Sequence, residues 1–274
     1  MEIYYHQAPY INSVFHIPAS LYNGADSFEF IGTPTIHDHI ILNEHCAVIT
    51  FEINGVQYKF DGDVVCGKFV NVPKIRIDFD DPCQKLTIIR LNPCGLYRLT
   101  DSSIESLIDK IAPLSILNEE LQERDDIEEY LKILDRMIET KEMEASFQRM
   151  RSILRYIHMN FAYLPRNASK DIAERFGVSE STLRRYFKQY IGVTLSTYIV
   201  TIKRKKMIEA VFDDKYDSMV VRQNGYYDQS HFLNDFKRLY GISLKHYFNE
   251  LQLLKNDIPE LMRFLYHCDL EQVE

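Results

Sequence analysis

Two periodicities divide the chain. Between Ala47 and Leu91 apolar residues come in short runs: Ala47 to Ile53, Val56 to Phe60, Val64 to Val70, Ile75 to Phe79 and Leu86 to Leu91. Their alternating or continuous apolar character marks strands with one or both faces buried. The breaks between them have mechanisms. Asn54-Gly55 is the pair that closes a two-residue hairpin, Asp61-Gly62-Asp63 permits another tight turn, and Pro73 and Pro82 exclude central-strand bonding. An antiparallel β sandwich or barrel is expected.

After Asp101 the spacing becomes helical. Ser102 or Ser103 can cap a helix carrying Ile104, Leu107, Ile108 and Ile111, closed by Pro113. A longer amphipathic stripe follows at Ile127, Tyr130, Leu131, Leu134, Met137 and Ile138, flanked by acidic residues. It suits either a dimer seam or packing onto the rest of the fold. Periodicity resumes at Phe147, Met150, Leu154, Ile157 and Phe161, and Leu164-Pro165 ends that helix.

The next segment carries the chemistry. Ser169 can cap a short helix with Ile172, Ala173 and Phe176 inside. Gly177-Val178-Ser179 turns the chain, and Glu180 to Tyr190 forms a second helix with Leu183 and Phe187 inside. A small residue where helices cross, a turn glycine and a serine cap make a helix-turn-helix. Its outer face offers Ser181, Thr182, Arg184, Arg185 and Lys188; arginine can pair bidentately with guanine, and lysine grips phosphate. A second unit follows Gly225, with Phe232 and Phe236 inward at the same four-residue spacing. Gln229, Ser230 and Asn234 then face bases, and His231, Lys237 and Arg238 face phosphates. Between the units, Leu195, Ile199 and Ile202 begin a connecting helix that contains Lys203, Arg204, Lys205 and Lys206, a run expected to hold phosphates.

Charge sharpens this picture. The net charge of −8 hides an uneven split, because Phe147 to Glu250 holds 18 Lys+Arg against 10 Asp+Glu, and the remainder 14 against 30. A basic surface for a polyanion therefore sits beside an acidic region with another task. Five cysteines without a Cys-x-x-Cys pair suit reduced thiols in a cytoplasm. No apolar run approaches the length of a membrane span, so a soluble cytoplasmic protein is expected.

From Phe147 to Glu250 the residues resemble the AraC/XylS family of bacterial transcription regulators. The run from Asp171 to Lys188, with Gly192 and Tyr198 beyond, is similar to that family's first helix-turn-helix; the run from Gly225 to Ser243, with Tyr247, is similar to its second. The resemblance places DNA-facing positions on Ser181, Arg184 and Arg185, and on Gln229, Ser230 and Asn234. It also implies a homeodomain-like fold, transcription regulation in the manner of an activator, and an N-terminal domain that senses a small molecule or dimerises. Val221 stands where a small residue is usual, polar Asn224 lies against the turn, and Leu244 replaces a common proline.

The expected organisation is α+β: residues 1–140 for sensing or dimerisation, 147–250 all-α with two helix-turn-helix units, and 251–274 a helical tail. Two readers suit successive major-groove faces about 34 Å apart. Double-stranded DNA is the expected partner, with RNA polymerase, a small-molecule effector and a second copy as further candidates, and neither cofactor nor enzyme activity is expected. The competing reading is a cupin-type metal-binding enzyme or sensor using His37, His39 and Glu44, a pattern with the flavour of an imidazole and carboxylate site.

Overall fold

The computed structural model describes residues 3–4, 10–18, 27–45, 47–81, 83–100, 103–117, 121, 126–139, 144–165, 167–213 and 215–257. Pro82, Ser102, Cys46, Cys268 and the tail beyond Asp257 lie outside these described residues.

Among the described residues, ten strands form two antiparallel sheets. The first joins β1 (Ile3–Tyr4), β2 (Ile11–Pro18), β9 (Lys85–Leu91), β4 (Asp38–Glu44), β7 (Val64–Cys66) and β10 (Ile111–Pro113) in that order. The second joins β3 (Ser27–Ile31), β8 (Lys74–Asp78), β5 (Val48–Ile53) and β6 (Val56–Phe60). The hairpin at Asn54-Gly55 forms as its chemistry requires: both residues have positive φ, 54° and 75°, and Ile53 pairs with Val56.

The two sheets differ in how they read because they differ in what covers them. On β9, Ile88 enters the core between the sheets, whereas its neighbour Ile89 packs beneath helices on the other side. That strand is buried on both faces, and its sequence is a continuous apolar run for that reason. The outer face of β3, β8, β5 and β6 meets solvent, so those strands alternate. A buried ion pair between Lys68 and Asp38, each side chain 1% exposed, lies within the first sheet's surroundings.

Helix α1 (Gly95–Thr100) and helix α2 (Ile127–Glu139) lie on the covered side of the larger sheet, and α2 buries Tyr130, Leu131, Leu134 and Ile138 there. The stripe considered for a dimer seam is thus directed into the chain's own core. The expected helix from Ile104 to Ile111 is absent: Ile104–Leu107 makes only a 3-10 turn. Asp109 then takes a left-handed backbone (φ 53°), and its carboxylate accepts from the Val70 and Asn71 amides at 2.8 and 3.1 Å. Ile111 continues as a strand opposite Cys66. Strand pairing and a carboxylate-held loop override a helical period only two turns long.

The helical region consists of α3 (Ala145–Asn160), α4 (Ser169–Arg175), α5 (Glu180–Tyr186), a π-helical turn (Phe187–Ile191), α6 (Leu195–Phe212), α7 (Ser218–Gln223), α8 (Gln229–Tyr240) and α9 (Leu244–Asp257). It shares apolar cores with the sandwich. Phe147 packs edge-on to Tyr190 at 5.4 Å and stacks on Tyr97 of α1 at 5.9 Å. No helix among the described residues is long and apolar enough to cross a membrane.

Lys68→Ala should destabilise the chain by about 3–5 kcal/mol, because Asp38 is left buried without its cation. Joint replacement by Lys68→Met and Asp38→Leu should cost less than Lys68→Ala alone; urea unfolding of the variants measures the difference.

Candidate nucleic-acid interface

In the first unit, α4 and α5 meet through Ile172, Ala173 and Leu183, all buried. Gly177 turns between them at φ 62°. The Ser179 hydroxyl caps α5 by accepting from the Thr182 amide at 3.1 Å, as its position requires. Ser169 does not cap α4; it is the first helical residue, and its hydroxyl donates to Glu180 across the unit.

In the second unit, the Asp217 and Asp228 carboxylates cap α7 and α8, each accepting a backbone amide at 2.7 Å. Gly225 turns at φ 81°, and a Cβ there would lie 2.6 Å from the Ala162 carbonyl oxygen, so glycine is needed for both reasons. The departures noted in the sequence are accommodated. Val221 is fully buried, and the Asn224 amide donates to the Val220 carbonyl oxygen at 2.9 Å.

The expected base-facing residues Ser181, Arg184, Arg185, Gln229, Ser230 and Asn234 all lie on exposed faces, opposite Leu183 and Phe187 on one helix and Phe232 and Phe236 on the other. Thr182 is only half-exposed, and its hydroxyl accepts from Ser179 within the cap, so it is drawn away from the outer face. Lys237 projects outward. The His231 ring folds back to accept from the Tyr227 amide at 3.4 Å.

Each member of the basic run of α6 is engaged within the protein. Lys203 donates to the Leu164 carbonyl oxygen at 2.8 Å, and Lys206 pairs with Glu209 at 2.8 Å. Arg204 makes a two-pronged contact with Asp235 of α8 at 2.9 Å for each bond. Lys205 is 3% exposed and lines a cavity inside the sandwich. Nor is Lys188 free, since it pairs with Glu105 of the 3-10 turn at 3.1 Å.

Sequence reasoning missed Asp235 altogether. It is 4% exposed and receives Arg204, Arg238 and the Tyr226 hydroxyl, which ties α6, α8 and the turn into one unit. Burial alone would raise its carboxyl pKa; the two guanidiniums and the phenol outweigh that and bring it down to about 2. A signal was present in the acidic residue placed between Phe232 and Phe236, on the inward face of a helix that otherwise buries aromatics.

The sandwich cavity, of about 80 Å³, lies between the sheets and has Phe51, Phe69, Ile77 and Ile88 in its wall. His39, Arg90, Lys205, Thr33 and Thr35 supply its polar edge, and no Asp or Glu among the described residues lines it. The His39 ring faces this cavity rather than bulk water. Burial, then the charges of Arg90 and Lys205, hold its pKa well below the usual histidine range, so it is neutral. Metal chemistry does not fit: the His37 Nδ1 bonds the Leu91 carbonyl oxygen at 3.0 Å and Glu44 pairs with Lys85 at 3.2 Å. Among the described residues no cluster of three His, Cys, Asp or Glu side chains could hold an ion.

Residues 172–250 match a family profile described as a helix-turn-helix domain. A comparison with curated protein sequences finds no match. Among solved structures, ToxT from Vibrio cholerae is similar at 13% identity, covering 86% of this chain and 96% of its own, with a TM-score of 0.46. ToxT from the same organism in an unsaturated-fatty-acid-bound form aligns at 14% identity over 90% and 97%, with a TM-score of 0.45. The AraC-like transcriptional activator CuxR aligns at 14% over 69% and 81%, with a TM-score of 0.31.

Two capped helices with matching inward pairs and polar outer faces, in a segment that matches the profile, define a DNA-binding transcription regulator. Residues 172–250 form its helix-turn-helix domain.

Asp235→Asn should loosen the second unit, with a loss of about 3–5 kcal/mol as Arg204 is left without its carboxylate. The pH dependence follows from the depressed pKa. The carboxylate's contribution is complete above the unfolded value near 4 and is lost as pH falls through about 2. Denaturation of the parent should weaken over that window, and that of Asp235→Asn should lack this component.

Proposed function

We propose that the protein reads two successive major-groove segments of a specific DNA site in the cytoplasm, and that a small molecule or dimerisation through the N-terminal domain controls it. The carrying observation is the pair of exposed polar helix faces, Arg184 and Arg185 on α5 and Gln229, Ser230 and Asn234 on α8, each backed by a buried apolar pair. Arginine suits guanine and the amides suit adenine, so both helices have the means for direct readout. Lys237 and Arg238 then serve phosphates, although Arg238 shares Asp235 with Arg204. A binding role, rather than enzyme activity, accounts for these residues.

Control through the sandwich is supported by its contact with α6: Lys205 of that helix, which joins the two readers, lines the cavity between the sheets. A ligand shifts such an equilibrium only by its differential affinity for the two arrangements.

Selection of bound sites from random duplex DNA, followed by binding at several salt concentrations, tests the reading. Affinity should fall with salt at a log–log slope near −0.9 per phosphate contacted. A flat response, or no binding at low salt, counts against it. Arg185→Ala should cost about 1–3 kcal/mol and relax preference at one base pair, whereas Lys237→Ala should weaken all sequences alike.

A further inference from the structure

Strand β6 ends the smaller sheet, and among the described residues its far side meets no other strand. The turn at Asn54-Gly55 fixes which of its backbone groups are left over. A two-residue turn is closed by a hydrogen-bonded pair, here Ile53 and Val56, and the alternation that follows directs the groups of Tyr58 and Phe60 toward β5. The N–H and C=O of Gln57 and Lys59 therefore point outward, and no backbone partner meets them among the described residues. The side chains agree with an unfinished edge. Val56, Tyr58 and Phe60 share the inner face with Ile53, Phe51 and Ile49 of β5, yet Val56 is 51% exposed and the two rings are only half-buried. Gln57 and Lys59 are exposed on the solvent face, beside Glu52 and Thr50.

We infer that β6 pairs antiparallel with β6 of a second copy of this chain, about a two-fold axis at Tyr58. The inference supplies an interface for the dimerisation reading above and rests on it. In this register Gln57 and Lys59 of the second copy exchange their outward N–H and C=O groups, and the reciprocal pair does the same. Tyr58 then faces Tyr58 of the second copy at the closely spaced, non-hydrogen-bonded position. Aromatic side chains gain from facing each other there, and Val56 is covered by Phe60 of the second copy. On the solvent face each Lys59 meets a glutamine amide with Glu52 beyond it, so no like charges oppose each other across the junction. The other edges lack this self-complementarity. Strand β3 is also five residues long, but its middle residue is Glu29, and pairing of the same kind would set two carboxylates opposite each other. Strand β1 has only two residues, and β10 has three and ends in a proline. A five-residue strand makes a small interface, so the dimer is weak and reversible. Its effect grows where neighbouring DNA sites raise the local concentration of two copies.

Sedimentation equilibrium of the full chain across micromolar concentrations, without DNA, should show reversible association of two copies. Gln57→Glu sets a carboxylate opposite Lys59 of the second copy and should tighten association about threefold to tenfold. Gln57→Lys sets an ammonium there and should weaken association by a similar factor, while within each copy the substituted side chain faces Glu52 and leaves the fold intact. Lys59→Pro removes an outward N–H that β5 does not use, and should leave a single chain at every concentration with the thermal midpoint of the parent. Should that variant fold poorly, the opposite shifts of the two Gln57 variants still decide. A dimer that ignores all three substitutions, or that responds to both Gln57 variants in the same direction, would overturn this interface and leave dimerisation elsewhere in the N-terminal domain standing. A parent that remains a single chain at every concentration would overturn both.

Discussion

Helix α6 has to satisfy three neighbours at once, and the arrangement of the molecule follows from that demand. Its first turns bury Leu195, Tyr198, Ile199 and Ile202 against the first helix-turn-helix, while Met207, Ile208 and Phe212 lie in the core shared by the sandwich interior and the second unit. Between them Lys205 enters the cavity. A helix covered on most sides cannot be strongly amphipathic, and its cations must find partners inside the protein or lose hydration without return. Arg204 with Asp235, Lys206 with Glu209 and Lys203 with the Leu164 carbonyl are the result.

The partners of the basic run are hidden when it is read along the chain. Four consecutive cations resemble a solvated face, and nothing local reveals that Asp235, far along in sequence, waits beside Arg204. The two units themselves were legible because their determinants are local: a turn glycine, a capping Ser or Asp, and an apolar pair one helical turn apart. In the sandwich, strands β5, β6 and β9 announced themselves through alternation or continuous apolar character. By contrast β2 hides the fully buried polar residues Asn12 and Ser13, and β4 opens with Asp38 and His39. Polar residues inside a sheet erase the pattern that would reveal the strand. The 3-10 turn at Ile104 was misjudged for the related reason that distant strand pairing decided a short segment.

The first reader is bound to the sandwich side by more than the chain connection. Glu105 pairs with Lys188, Tyr97 receives the Gln189 amide at 3.2 Å, and Gly192 (φ 83°) lies where a Cβ would come within 2.9 Å of Ile108. The second unit shares a core with the sandwich that includes Met207, Ile208 and Phe212 of α6, so each reading helix rests on a different part of the contact with the sheets.

The aromatic seam at Phe147, Tyr190 and Tyr97 has a practical corollary. A fragment beginning near Ala145 would keep both readers but strip Tyr97 and the Ile104 turn from Tyr190, Ile191 and Phe147, baring rings that are now 1% exposed or less. Newly wetted surface of that kind favours clumping between copies. Truncation would then report on self-association as much as on release from control, so the intact polypeptide is the proper object for measuring how the readers are held.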